Sequence, residues 1–97
     1  MNWQRVDKLL PAQAGELQER AQVAGSQVCR LWDEGVQKLF LARTAKNQEA
    51  INFRDGVLTV AVASPLVAGE LKAQEARIIR SINRALDKPL ITAVRYR

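Results

Sequence analysis

The sequence predicts an α+β domain in the order α-α-β-β-α-β, and three observations carry that expectation. An Asp55-Gly56 dipeptide stands between two apolar runs, a Ser64-Pro65 pair opens a long amphipathic stretch, and a β-branched run follows it near Arg97. Asp-Gly between apolar runs is the strongest short-range hairpin signal, because the mirror-image turns that match strand twist need positive φ at their central residues. Strand, crossover helix and strand in one sheet make a right-handed unit. The last strand is therefore expected parallel to the second, in a three-stranded mixed sheet with helices on one face.

The helical half comes first, over residues 1–45. Met1 to Leu10 places Trp3, Val6, Leu9 and Leu10 at helix spacing, and Pro11 should end or redirect that segment. From Ala12, the apolar positions Leu17, Ala21, Ala24, Val28, Leu31, Trp32, Leu39 and Phe40 recur at helical steps and form one continuous face. Nearly thirty residues is long for a helix in a small domain, so a break is expected at Gly25-Ser26, with Ser26 as the next N-cap; one long bent helix is the alternative. The polar stretch Ala45 to Gln48 reads as the connection into the sheet.

The ββαβ unit is expected over residues 50–97. A short strand from Ile51 leads into the Asp55-Gly56 turn; beyond it, Leu58, Val60 and Val62 project to one face and Thr59, Ala61 and Ala63 to the other. Ser64 is a good N-cap, and Pro65 at the first helical position loses no useful N–H. Val67, Leu71, Ile78, Ile79, Ile82 and Leu86 form the buried stripe of that helix, which Asp87-Lys88-Pro89 closes because the residue before a proline avoids the α region. Leu90 to Arg95 is the final strand.

Composition narrows the function. The 97 residues suffice for one small domain with one core, and contain no histidine, the commonest general base and metal ligand. The carboxylates are scattered, with no spacing suited to magnesium or calcium. A non-enzymatic protein without cofactor, metal or small-molecule substrate is expected. No apolar run serves as a signal peptide or approaches the roughly 20 residues of a membrane span, so a cytoplasmic protein with no membrane partner is expected. Cys29, beside Val28 and Leu31 in a helical pattern, reads as a small buried hydrophobe.

Fifteen Lys and Arg against ten Asp and Glu give a net charge of +5, which favours a polyanionic partner. Arg77, Arg80 and Arg84 fall at steps of three and four on one helix face; Arg77 and Arg80 have no carboxylate three or four residues away, and Arg84 has only Asp87. A guanidinium presents a planar fork to phosphate oxygens, so this stripe is the first candidate nucleic-acid contact. Arg54 beside the turn, Lys38, Arg43 and Lys46 upstream, and Arg95 and Arg97 on the last strand are candidates to extend the basic surface. Tyr96 and Trp3 are open to stacking on a base or to edge packing, whereas Trp32 belongs in the core.

The element order is that of small KH-like domains, but the Gly-x-x-Gly loop with which KH modules clamp a nucleic-acid backbone is missing. Trp32, Val36, Arg43-Thr44, the hairpin Asp55-Gly56-Val57-Leu58-Thr59-Val60-Ala61-Val62, then Ser64, Ala68, Glu70-Leu71, Ile82-Asn83 and Val94-Arg95-Tyr96-Arg97 together resemble the DciA family of bacterial replication proteins. Val67, Gln37 and Arg43 stand where that family usually has tryptophan, glycine and often histidine. The resemblance implies a DNA-replication accessory protein that binds single-stranded DNA and the DnaB-type replicative DNA helicase, aiding its loading or operation. Two other classes share the fold and charge: a protein-interaction module without DNA binding, docking through its amphipathic helices or an edge strand, and a KH-like RNA-binding protein.

Overall fold

The structure is a computed structural model that describes residues 25–97. Readings that fall on earlier residues, including the Trp3 to Leu10 segment, Pro11, Leu17, Ala21 and Ala24, lie outside the described residues. Within them, helix α1 occupies residues 25–39, followed by α2 (Ala42–Lys46), β1 (Gln48–Arg54), β2 (Val57–Val62), α3 (Pro65–Ala85) and β3 (Ala93–Tyr96). The strand order is β1-β2-β3, with β1 antiparallel and β3 parallel to the central β2, as the crossover rule requires.

Four local expectations need correction. Gly25 and Ser26 are both helical, so Ser26 is not an N-cap; the chain ahead of Gly25 lies outside the described residues. Leu39 is exposed and leaves the apolar stripe of α1, whereas Phe40, just past the helix end with its N–H on Val36 O (2.9 Å), still packs against the core. The supposed connection holds a five-residue helix, α2, and β1 starts at Gln48 rather than near Ile51. β3 starts at Ala93 rather than Leu90, because the Ile91 N–H donates to Asn83 Oδ1 (3.1 Å) and the buried Ile91 plugs the core instead of joining the ladder.

One face of the sheet carries the core. Val28, Trp32 and Val36, one turn apart on α1, and Val67, Leu71, Ile78 and Ile82 on α3 cluster with Ala50, Leu58, Val60 and Ile91. Phe53, Val62, Val94 and Tyr96 pack against that cluster. A Cβ at Gly35 would stand 3.1 Å from Ile78 Cγ2, so glycine lets α1 approach α3 closely. Trp32 is wholly buried, and its indole N–H donates to Gln48 Oε1 (2.9 Å). The Gln48 amide then donates to Asp33 Oδ1 (3.1 Å), which also accepts the Ala50 N–H (3.1 Å). Asp33 thereby occupies a donor on the outer edge of β1 and fastens α1 along that strand.

The turn at Asp55 (φ 51°) and Gly56 (φ 81°) has positive φ at both central residues, the mirror-image geometry expected of Asp-Gly. Glycine is required at 56 for a second reason, since a Cβ there would lie 2.7 Å from Thr92 Oγ1. Between Ala50 and Asn52 the register slips, leaving Ile51 as the extra residue of a β-bulge. That insertion rephases β1: Gln48 and Ala50 point to the core before it and Phe53 after it, so Arg54 points to the opposite face.

Ser64 Oγ accepts the Val67 N–H (3.3 Å) and Pro65 opens α3. At the other end the Asp87 N–H bonds Arg84 O and the Lys88 N–H bonds Asn83 O, the Schellman pattern, with Asp87 in the left-handed region at φ 56°. On β3, the Tyr96 hydroxyl donates to Glu75 Oε1 (2.8 Å) on α3. Burial first, then the hydrogen bond to Glu75 and its negative charge, hold this phenol well above its ordinary range.

Trp32→Phe keeps most of the buried bulk but strands Gln48 Oε1, and Asp33→Ala strands the Gln48 amide and the Ala50 N–H. Each is expected to cost about 1–3 kcal/mol in denaturant unfolding. The two losses should be non-additive in a double-mutant cycle, because both break one chain of hydrogen bonds; strict additivity would separate them. Tyr96 is the sole tyrosine, so absorbance near 295 nm reports it alone. In the folded protein no phenolate should form as pH passes about 10, the ordinary tyrosine value. Because the folded-state value is raised, the stabilisation is complete below about pH 10 and is lost as pH climbs above it, a slope that Tyr96→Phe should remove. A native-state midpoint near 10 would contradict the Tyr96–Glu75 contact.

Candidate nucleic-acid interface

All nine sequence-identified cations, Lys38, Arg43, Lys46, Arg54, Arg77, Arg80, Arg84, Arg95 and Arg97, are exposed. Helix geometry places Arg77, Arg80 and Arg84 within an arc of about 60° on α3, on the side away from the Val67, Leu71, Ile78 and Ile82 stripe. They make no ion pair among the described residues. Arg84 also sits in the last turn, where a cation is favoured by the helix dipole.

A second group lies on the opposite side of the domain. Val94 and Tyr96 face the core, so alternation turns Ala93, Arg95 and Arg97 to the face of the sheet that no described helix covers. Arg97 continues the ladder, its N–H bonding Val60 O and its carbonyl accepting from Val62 N. Arg54 reaches the same face through the bulge in β1. The rows of this face read Arg54–Val57–Ala93 and Asn52–Thr59–Arg95 in register. Asn52 and Thr59 are polar members that the sequence did not single out, since their position depends on the bulge and on strand register. Thr59 is buried.

Arg43 and Lys46 belong to neither group. Arg43 Nη2 lies 3.7 Å from Glu70 Oε2, and Thr44 Oγ1 donates to Glu70 Oε1 (3.0 Å), so α2 is moored to the first turns of α3. An exposed pair of this kind contributes little stability, but it offsets the Arg43 charge. Lys46 lines an open cleft of about 510 Å³ with Asp33, Gln37, Asn47 and Glu49, a mixed-sign lining with no net attraction for an anion. Tyr96, tied to Glu75 and half-buried, does not present a free ring for base stacking; Trp3 lies outside the described residues. Cys29 packs partly against the core, and burial, aided by the nearby Asp33 charge, pushes its thiol up and away from reactivity.

No described helix is long and apolar enough to cross a membrane. What remains is a surface with two cationic groups and no constellation for covalent chemistry among the described residues. A comparison with protein-family models matches residues 3–96 to the family described as Dna[CI] antecedent, DciA. No curated protein matches the chain. Because the match spans nearly the whole sequence, the chain belongs to the DciA family, whose members are accessory to loading of the DnaB-type replicative helicase.

Proposed function

We propose that this protein is a non-catalytic replication accessory factor of the cytoplasm that holds single-stranded DNA beside the DnaB-type replicative helicase, with Arg77, Arg80 and Arg84 contacting phosphates. The observation that carries the reading is the α3 stripe: three exposed guanidinium groups on one arc of a rigid 21-residue helix, without an ion-pair partner among the described residues. A rigid helix fixes their spacing, so little side-chain and backbone freedom is lost beyond that of the arginines themselves. Family membership supplies the helicase as partner. The DNA component rests on charge and geometry.

A protein-only role is favoured by a different observation. Leu41 and Leu66 are 72% and 64% exposed, and the Glu70 contacts bring α2 close to the start of α3, so two large apolar side chains stand on one end of the domain. Helicase captured by the nuclease-treated protein, with no shift of labelled single strands at low salt, would support that role instead.

Phosphate contact makes affinity fall with salt, at a logarithmic slope of about 0.7 per contact for a single strand. Fluorescence anisotropy with labelled oligothymidylate should show such a slope and little dependence on base sequence. Arg77→Gln, Arg80→Gln and Arg84→Gln combined should lower the slope by about 2. An unchanged slope and affinity would remove the stripe from the interface. Co-sedimentation of the protein with the replicative helicase from the same organism, with and without single-stranded DNA, tests the partner.

A further inference from the structure

We infer that the domain carries two separate sites for single-stranded nucleic acid, one on the outer face of α3 and one on the sheet face that no described helix covers, so that one molecule holds two strand segments at once. The inference rests on the DNA-binding reading above and extends it. From sequence, Arg54, Arg95 and Arg97 are candidates to extend the basic surface, without a derivable convergence; the fold puts them on the other side of the molecule from the α3 stripe.

The partition follows from side-chain alternation and the bulge at Ile51. Tyr96 faces α3, as its hydrogen bond to Glu75 requires, so Arg95 and Arg97 face away from α3. Phe53 packs on the core, so Arg54 also faces away. Arg54 on β1 and Arg95 on β3 straddle the central strand, about 10 Å apart across the sheet, over a floor of small or short side chains: Val57, Thr59, Ala61 and Ala93. Asn52 adds a hydrogen-bonding group. Two carboxylates are near: Glu49 shares this face, toward Arg97, and Asp55 follows Arg54 in the turn. Neither is within ion-pair distance of Arg54, Arg95 or Arg97. The face therefore keeps a cationic surplus around a central Thr59 that is itself buried.

Distance decides whether this is one site or two. Between the arginines of α3 and those of the sheet lie the helix, about 10–12 Å across with its side chains, and the sheet itself, a separation of roughly 20 Å. At physiological ionic strength the screening length is about 8 Å, so the two groups do not reinforce each other's field. Each attracts phosphates independently.

The test is stoichiometry, measured on the full chain with an oligothymidylate of about 4–6 nucleotides, too short to lap around the domain, by calorimetry or native mass spectrometry at low salt. Two strands per chain are expected for the unaltered protein. The combined Arg54→Gln, Arg95→Gln, Arg97→Gln variant and the combined Arg77→Gln, Arg80→Gln, Arg84→Gln variant should each retain one. A ratio of one for the unaltered protein overturns the inference, whether both variants abolish binding, as for one composite site, or only one does, as when the other face is inert. Preference for structured RNA over single-stranded DNA at either face would overturn the ligand assignment. No binding by the unaltered protein would overturn the DNA-binding reading itself, an outcome distinct from a ratio of one.

Discussion

The buried indole N–H of Trp32 is the constraint on which the rest of this fold depends. A tryptophan with no solvent exposure contributes a large apolar surface, but its one donor must find an acceptor inside the protein or cost about 1–3 kcal/mol. Gln48 supplies the acceptor, and its own amide then needs one, which Asp33 provides one residue along from Trp32. The same Asp33 oxygen takes the Ala50 N–H from the edge of β1. A single chain of hydrogen bonds thus sets the height of α1 over the sheet, the register of β1 against α1, and the blocking of one sheet edge. Hydrophobic burial alone has no such directionality; it would hold α1 on the sheet without saying where.

With β1 pinned at Gln48 and Ala50, the bulge at Ile51 becomes obligatory. The Asp55-Gly56 turn fixes Arg54 opposite Val57 and Phe53 opposite Leu58, whereas the Asp33 anchor fixes Ala50 opposite Val60. Six residues from Phe53 back to Gln48 must match five from Leu58 to Val62, so one is extruded, and Ile51 is that residue. Its exposure, 44%, is the cost of meeting both constraints. The gain is that Phe53 turns inward. Arg54 turns outward with it, joining Arg95 on a face that neither described long helix covers.

How much was legible follows from the range of each signal. Asp55-Gly56, Ser64-Pro65 and the stripe from Val67 to Ile82 act within a turn or two of chain, and the structure matches each of them. The parallel pairing of β3 with β2 came from handedness, which needs only the element order. The misses depend on contacts between distant residues. β1 starts early because Asp33 and Trp32 recruit Gln48; β3 starts late because Asn83 takes the Ile91 N–H; α2 is held by Thr44 and Glu70, 26 residues apart. Residue types in the candidate interface were legible in the same way as the turn, since an arginine stripe on a helix is a local pattern. Their division between two faces was not, because it hangs on a one-residue insertion that no propensity marks.

That division changes what net charge means for this protein. A surplus of five positive charges spread evenly would be a weak, non-specific attraction for any polyanion, screened within about a nanometre at physiological salt. Concentrated on a rigid helix arc and on a flat sheet face, the same charges become two fixed arrays, and fixed arrays retain affinity where diffuse charge does not, because the spacing of the arginines is set before the ligand arrives. Arg43 illustrates the contrast: paired with Glu70, it serves the docking of α2 and adds little to either array. In the proposed reading, the grip on a strand resides in six arginines and in the elements that aim them, and the aiming traces back, through the bulge and β1, to the hydrogen-bonding demand of one buried tryptophan.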